Sequence, residues 1–442
     1  MKDRSSLVFS FLAVCLAIFF AFSAAKVSLF SGEPSGWDYF YHERVVSLSI
    51  EEGTLLPFDP LSAGGRTHTY LPFFHSLIVA LSLSSGLSAE FLLRASSPAF
   101  LFLSALSIFV FSGRKGSALL ALAFFSAFPD VLLFSASSGM PSVASLFPLA
   151  ILVFSVFSGR PLGTGLFSVL ALGLGALHQI SALSFLIFSG VLFLSRRDWK
   201  VLLFGALSII FPVSWALLFE TTVPNWGESP GLSALANPPF PLQVLLPLSI
   251  LALDYAFMKR GGRKTEAFIL SGIFLFLSFF SPVLPSRFLL YLGVFLAMWI
   301  GEVSWKIWAV FGLSLALAIS TAGTLKWTAP ILQAEDREAL FWIDSNIPGR
   351  TVLGHTDLTS VFLMGHAKTV IDGYSEGLPD AYERQAWIKN GYETGNFSGI
   401  SGKYGANFLY TNEGERRILG EFKEPGPVLF SNGYARILGI AN

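Results

Sequence analysis

Asp38 and His42 are the side chains in this 442-residue sequence whose types and spacing best fit proton or phosphate chemistry. They stand four residues apart in Trp37-Asp38-Tyr39-Phe40-Tyr41-His42-Glu43-Arg44, a run that begins seven residues after a long apolar stretch ends. Two acids, a histidine and an arginine therefore lie among four aromatics beside a lipid boundary, where a lipid-linked polar substrate would be met. A partly desolvated carboxylate there can take a proton from a hydroxyl, or hold a divalent cation such as Mg or Mn on a phosphate. The plainer role for Asp38 is to cap a short helix beginning near Tyr39. On that helix i and i+4 share a face, so His42 can orient Asp38 or touch a phosphate; the alternative is a buried, satisfied imidazole. Glu43 points elsewhere and is expected to be solvated.

Other candidates are scattered. Arg287 opens an apolar run in Ser281-Pro282-Val283-Leu284-Pro285-Ser286-Arg287-Phe288 and is the only basic residue between Lys264 and Lys306. At headgroup depth it can make charge-assisted hydrogen bonds to a lipid phosphate, or simply anchor the helix at the interface. His178 lies within apolar sequence, where an ionisable group is a functional candidate by default, although a neutral packing role fits equally. Arg66 and His68, in Gly64-Gly65-Arg66-Thr67-His68, could meet a substrate or lie in an exposed loop, and Asp357 is a further polar candidate.

The elements that must position these residues are mostly apolar. Hydrophobic residues make up 53% of the chain and charged residues 13%, against about 25% charged in a soluble domain. With 45 Phe and a mean hydropathy of +0.63, the pattern is that of a polytopic α-helical membrane protein. The zero net charge gives no basic field for nucleic acid. The lone Cys15 excludes an internal disulfide and a cysteine metal site. The first apolar run, Leu7 to Phe30, is longer than a signal core of roughly 7–15 residues and reads as a retained helix.

Apolar runs near 7–30, 96–112, 117–135, 142–158, 162–180, 181–195, 200–219, 241–257, 265–284, 287–303 and 306–325 give eleven expected spans. The run Tyr70 to Leu87 is excluded by charge. If it does not cross, Lys2/Arg4, Arg114/Lys115, Arg160, Arg196/Arg197/Lys200, Lys259/Arg260/Arg263/Lys264 and Lys306 all fall on the cytoplasmic side. Pro72, His75 and several serines suit a helix lying at the outer face. Residues 31–95 then form one large outer loop carrying the opening cluster, and 220–240 form a second.

Composition changes after Lys326. Residues 1–329 read as the membrane domain and 330–442 as a small extracytoplasmic α/β domain with alternating helices and strands. Helices are expected at Asp336–Asn346, Leu358–Met364 and Ala381–Lys389. Strands are expected at Arg350–Gly354, Lys368–Ile371 and Ala406–Thr411, with a final hairpin of Val428–Phe430 and Tyr434–Leu438 around Asn432-Gly433. Asn396-Phe397-Ser398 is an N-glycosylation acceptor pattern.

This order of parts resembles the C-type glycosyltransferase (GT-C) superfamily, whose members use polyprenyl-phosphate-linked sugars. Asp38-Tyr39-Phe40-Tyr41-His42 looks like the Asp-Pro-Tyr-Tyr-His start of oligosaccharyltransferase catalytic subunits. Gly53, Pro57, Phe58, Asp59 and Pro60 follow at similar spacing, then Tyr70-Leu71-Pro72. Val370-Ile371-Asp372-Gly373 and Gly402 to Tyr410 are similar to later strands of those enzymes' soluble domain. Two parts depart from the pattern. The stretch matching a second acidic motif reads Ser138-Gly139-Met140-Pro141-Ser142, with the nearest acid, Asp130, inside the preceding helix. In place of the acceptor-reading Trp-Trp-Asp-Tyr-Gly stands Gly354-His355-Thr356-Asp357-Leu358.

The resemblance implies transfer of a sugar from a membrane-borne polyprenyl-phosphate donor to a lipid, glycan or protein acceptor, with Asp38 as base or metal ligand and Arg287 on the donor phosphate. The departures turn the expectation away from sequon glycosylation. A catalytically silent relative that binds lipid-linked glycans is the first rival. A transporter is the second, but no internal repeat is visible. No nucleotide-binding, zinc or Ser/His/Asp signature appears.

Overall fold

The apolar runs fold as helices whose buried faces are set by small residues. The computed structural model describes residues 2–31, 34–36, 38–55, 58–59, 62–67, 71–112, 115–160, 162–219, 263–280, 285–302, 332–354, 362–363, 366–370, 380–419 and 422–440. Helix α1 (Lys2–Ser28) buries Ala13, Ala17, Phe20 and Ala24 on one stripe and exposes Leu7, Phe11, Ile18, Phe19 and Phe22. That is the arrangement of a lipid-facing helix held to a bundle by its small side chains.

The first loop follows, with α2 (Asp38–Glu51), the short antiparallel pair β1 (Phe58–Asp59) and β2 (Arg66–Thr67), and α3 (Phe73–Ser85). Helix α3 has 13 residues, or about 20 Å, against a hydrocarbon core of about 30 Å. Pro72 precedes it and Gly86, in the left-handed region at φ 72°, ends it.

The bundle continues with α4 (Ala89–Phe111), α5 (Lys115–Ala127), α6 (Pro129–Ala136), α7 (Pro141–Ser158), α8 (Thr164–Leu177), α9 (Gln179–Arg196), α10 (Trp199–Ser208), α11 (Ile210–Phe219), α12 (Arg263–Phe280) and α13 (Pro285–Glu302). Among the described residues five stretches are long and apolar enough to cross a membrane (α1, α4, α7, α9 and α10 continued into α11), and α5 with α6 makes a sixth if the bent pair is one span. The expectation of eleven is therefore not reached among the described residues; the runs at 241–257 and 306–325 lie outside them.

Three expected spans are corrected in form. The run 117–135 is not one straight helix. It bends by 59° between α5 and α6, because Pro129 cannot donate back to the preceding turn and Phe128 ahead of it takes an extended conformation. The boundary expected between 180 and 181 falls instead at His178, whose extended backbone (φ −160°, ψ 125°) ends α8 and starts α9.

The bundle interior is aromatic, with Phe274 against Phe295 at 4.4 Å between ring centres and Phe188 against Phe295 at 6.1 Å. Helices α8 and α10 come close enough that a Cβ on Gly175 would stand 1.9 Å from the Ser208 carbonyl oxygen, so only glycine fits there.

The C-terminal part is a mixed five-stranded sheet with helices, as the alternation suggested. Helix α14 (Ala334–Asn346) precedes β3 (Thr351–Gly354) and β4 (Lys368–Thr369). Helices α15 (Ala381–Thr394) and α16 (Ser398–Tyr404), strand β5 (Ala406–Asn412), helix α17 (Glu413–Leu419) and the hairpin β6 (Val428–Ser431) and β7 (Ala435–Gly439) complete it. The strand order is β4-β3-β5-β7-β6, parallel across β4-β3-β5 and antiparallel across β5-β7-β6. Helices α16 and α17 were not foreseen, and of the expected helix Leu358–Met364 only Phe362 and Leu363 are among the described residues.

The first loop is built into this sheet. Ser62 bridges Thr369 in parallel, and the Ala63 amide donates to the Thr369 carbonyl at 2.8 Å. The buried Arg384 guanidinium donates to the carbonyls of Ala63 and Val370, each at 2.7 Å, and to Asp380, also at 2.7 Å. Tyr39, Phe40, Tyr41 and Val46 of α2 share one apolar cluster with Leu340, Val352, Phe362 and Ile437.

Candidate active site

Asp38 opens α2, so its carboxylate stands in the first turn, where the free amides and the helix dipole favour negative charge. It is half-buried. The chain just before it is fixed from below. The Ser138 amide donates to the Ser35 carbonyl at 2.7 Å, and Ser35 Oγ donates to the Ala136 carbonyl. Gly36 has φ +92°, and a Cβ there would stand 2.9 Å from Ser137 Cβ. Trp37 lies outside the described residues. Gly36→Ala is expected to cost about 1–3 kcal/mol through overpacking and backbone strain. Thermal unfolding in detergent, compared with the unsubstituted protein, measures it.

The structure thus brings the turn at 137–140 against the segment that leads to Asp38, with hydroxyls where a second acid would be expected. Asp130 is not inside a continuous helix. It stands in the first turn of the separate α6, 3% exposed, and its Oδ2 has no hydrogen-bond partner among the described residues. Arg94 of α4 holds the other side of the loop: it donates to the carbonyls of Ser28 at 2.7 Å, Leu29 at 3.2 Å and Ser31, closing the C-terminal end of α1.

His42 follows Asp38 by one turn and is fully buried. Its Nδ1 lies 2.8 Å from Nε2 of His75 on α3, and Tyr41 and Phe74 set their rings edge-on to the pair. His75 entered the sequence reading only as a polar residue of an interfacial helix; no local signal marks two histidines 33 positions apart as partners. Arg44 is buried with Asp59 of β1 at 2.9 Å, so the acid that follows the Gly53–Pro57 stretch ties the loop to α2. Glu43 is half-buried, not solvated; burial pushes its carboxyl up although Ser47 Oγ donates to it at 2.7 Å. Burial also pushes the Tyr39 phenol up, helped by the charges of Glu43 and Glu90.

His178 joins a second polar group inside the bundle. Its Nδ1 is 3.0 Å from Tyr291 Oη and 3.2 Å from Ser181 Oγ, those two hydroxyls are 2.6 Å apart, and Ser181 also meets Ser145. This group connects α7, α9 and α13. Arg287 stands four residues before Tyr291 in the sequence of α13. The side chains of Arg66 and Arg287, and all of His68 and Asp357, lie outside the described residues. Among the described residues no three His, Cys, Asp or Glu side chains come together as a cation site.

No family model matches the sequence, and no curated protein matches it. Solved structures do match it. ArnT from Cupriavidus metallidurans in the apo state superposes with a TM-score of 0.59 at 12% identity, over 98% of this chain and 98% of that one. The same protein bound to undecaprenyl phosphate gives 0.58 at 12% identity, over 96% and 97%. The arabinofuranosyltransferase AftD from mycobacteria gives 0.60 at 12% identity; it covers 100% of this chain, which spans 42% of the AftD chain. The superposition takes in nearly the whole chain, so the chain has the fold of ArnT, and its described residues include helices long and apolar enough to cross a membrane.

Proposed function

We propose that the chain is an integral-membrane glycosyltransferase that moves a sugar from a polyprenyl-phosphate carrier to a lipid, glycan or protein acceptor at the outer face. One observation carries this reading: nearly the whole chain superposes on nearly the whole of a protein whose structure holds undecaprenyl phosphate, and Asp38 opens the first loop helix in that frame. Residues 1–329, with the outer loop 31–95, form the transferase body, and 330–442 an extracytoplasmic domain that braces the loop through Ser62, Ala63 and Arg384.

In this reaction the Asp38 carboxylate takes the proton of the acceptor hydroxyl. The acceptor oxygen bonds to the anomeric carbon as the bond from that carbon to the phosphate oxygen breaks, and the polyprenyl phosphate leaves with the electron pair. Arg287, at the start of α13, neutralises the departing phosphate, and the group formed by His178, Ser181 and Tyr291 fixes that end of α13. If a divalent cation such as Mg or Mn takes part, Asp38 is the residue that would hold it on the donor phosphate. No part of the reading calls for nucleic acid.

The test uses the purified protein in proteoliposomes with polyprenyl-phosphate sugars and a membrane lipid extract. Sugar leaving the carrier for a new product, with release of polyprenyl phosphate, is the expected result. Saturable binding of the donor with no turnover under any condition would instead support the second reading, a silent GT-C relative, which the serines at 138 and 142 favour.

A further inference from the structure

We propose that His75 is a positioning residue for the transfer: it fixes the tautomer and ring position of His42, one helical turn from Asp38. This rests on the reading of Asp38 as the reacting carboxylate. Two imidazole nitrogens 2.8 Å apart must be one donor and one acceptor, so a single proton lies between Nδ1 of His42 and Nε2 of His75. Whichever ring donates, the protonation of the remote nitrogen of His42 is decided by His75. The rings have no room to turn away: His42 is 0% and His75 2% exposed, and Tyr41 and Phe74 pack against them.

Packing alone does not account for the pair. Helix α3 is otherwise made of apolar and hydroxyl side chains, and His75 is its only titratable group. A phenylalanine or leucine would fill the same space without the desolvation cost of a buried imidazole. The surroundings also bear on charge. On α2 lie Asp38, Glu43, Arg44 and, at its exposed far end, Glu51, and Arg44 pairs with Asp59. On α4, Arg94 is paired with Glu90 at 2.9 Å. The C-terminal part contributes Arg337 and His366, the latter 2.7 Å from Asp344. Helix α8, which packs on α3, carries no charged residue. One positive charge on the histidine pair would lie on the helix that also carries Asp38 and Glu43. A second would set two like charges 2.8 Å apart in a buried site. The pair holds one exchangeable proton beside the group that receives the acceptor's proton.

The test compares the unsubstituted protein, His75→Phe and His75→Gln in proteoliposomes, measuring transfer from a polyprenyl-phosphate sugar between pH 5 and 9, together with ring-nitrogen NMR of 15N-histidine-labelled protein. His75→Phe is expected to lower kcat by roughly 10–100-fold, as loss of the outer partner of a working imidazole does in metal sites. The donor KM should stay nearly constant, the acid limb of the pH profile should move, and the His42 nitrogen resonances should change. His75→Gln, which can still hydrogen-bond Nδ1, should recover much of the rate. A folded His75→Phe protein with an unchanged pH profile and unchanged His42 resonances overturns the proposal. If His75→Phe does not fold, His75→Gln against His75→Leu carries the same comparison. Normal turnover by Asp38→Asn would remove the role of Asp38 as the reacting carboxylate instead, and the NMR comparison would still decide whether His75 sets the tautomer of His42.

Discussion

Asp38→Asn is expected to lower sugar transfer by roughly 10²–10⁴-fold, the contribution of a positioned general base, with little change in folded yield. The substitution separates two roles that share one position. Asp38 stands in the first turn of α2, where any acid is favoured by the helix dipole by about 0.3–1 kcal/mol. Asparagine serves a helix N-terminus nearly as well as aspartate. If the helix end were the whole job of Asp38, the variant would melt within a few degrees of the unsubstituted protein and keep its turnover. If the carboxylate takes the acceptor's proton, the fold survives and the rate does not. Measuring both quantities on one preparation, initial rate in proteoliposomes and unfolding temperature in detergent, decides between them; near-normal turnover would sink the assignment of Asp38.

The parts of this fold that were legible in the sequence are those governed by local chemistry. Apolar runs mark most of the helices between α1 and α13, and the run Tyr70 to Leu87 contains α3. The hairpin β6–β7 is announced by Asn432-Gly433, and Gly433 does take φ +90°. Pro129 is a local signal too: it interrupts the run 117–135, and the chain bends there by 59°. What could not be read are contacts that depend on packing between distant segments. His42 and His75 are 33 positions apart and meet only because α2 and α3 pack together. Tyr291 reaches His178 across 113 positions. Glu43 was expected in solvent because it points away from Asp38 and His42 on the helix; its neighbours in space are what bury it.

Asp59→Ala is expected to lower stability by about 3–5 kcal/mol, since it leaves the Arg44 guanidinium buried without its counter-charge. The side chains of Arg44 and Asp59 are each 1% exposed and lie 2.9 Å apart, so water cannot take the place of the lost carboxylate. The pair itself is not a large source of stability, because both charges were desolvated to form it. Replacing both residues with apolar ones of similar size, Arg44→Met with Asp59→Leu, should therefore recover most of the loss, and the two single changes should be far from additive. Denaturant unfolding of the four proteins in detergent measures this. Additive losses would show that each residue acts through separate contacts. The cycle also bears on the site. Asp59 lies on β1, whose partner strand carries Arg66 opposite it, while Arg44 lies on the helix that Asp38 opens. A double variant that recovers stability but not transfer would mean that the ion pair sets the angle at which α2 presents Asp38.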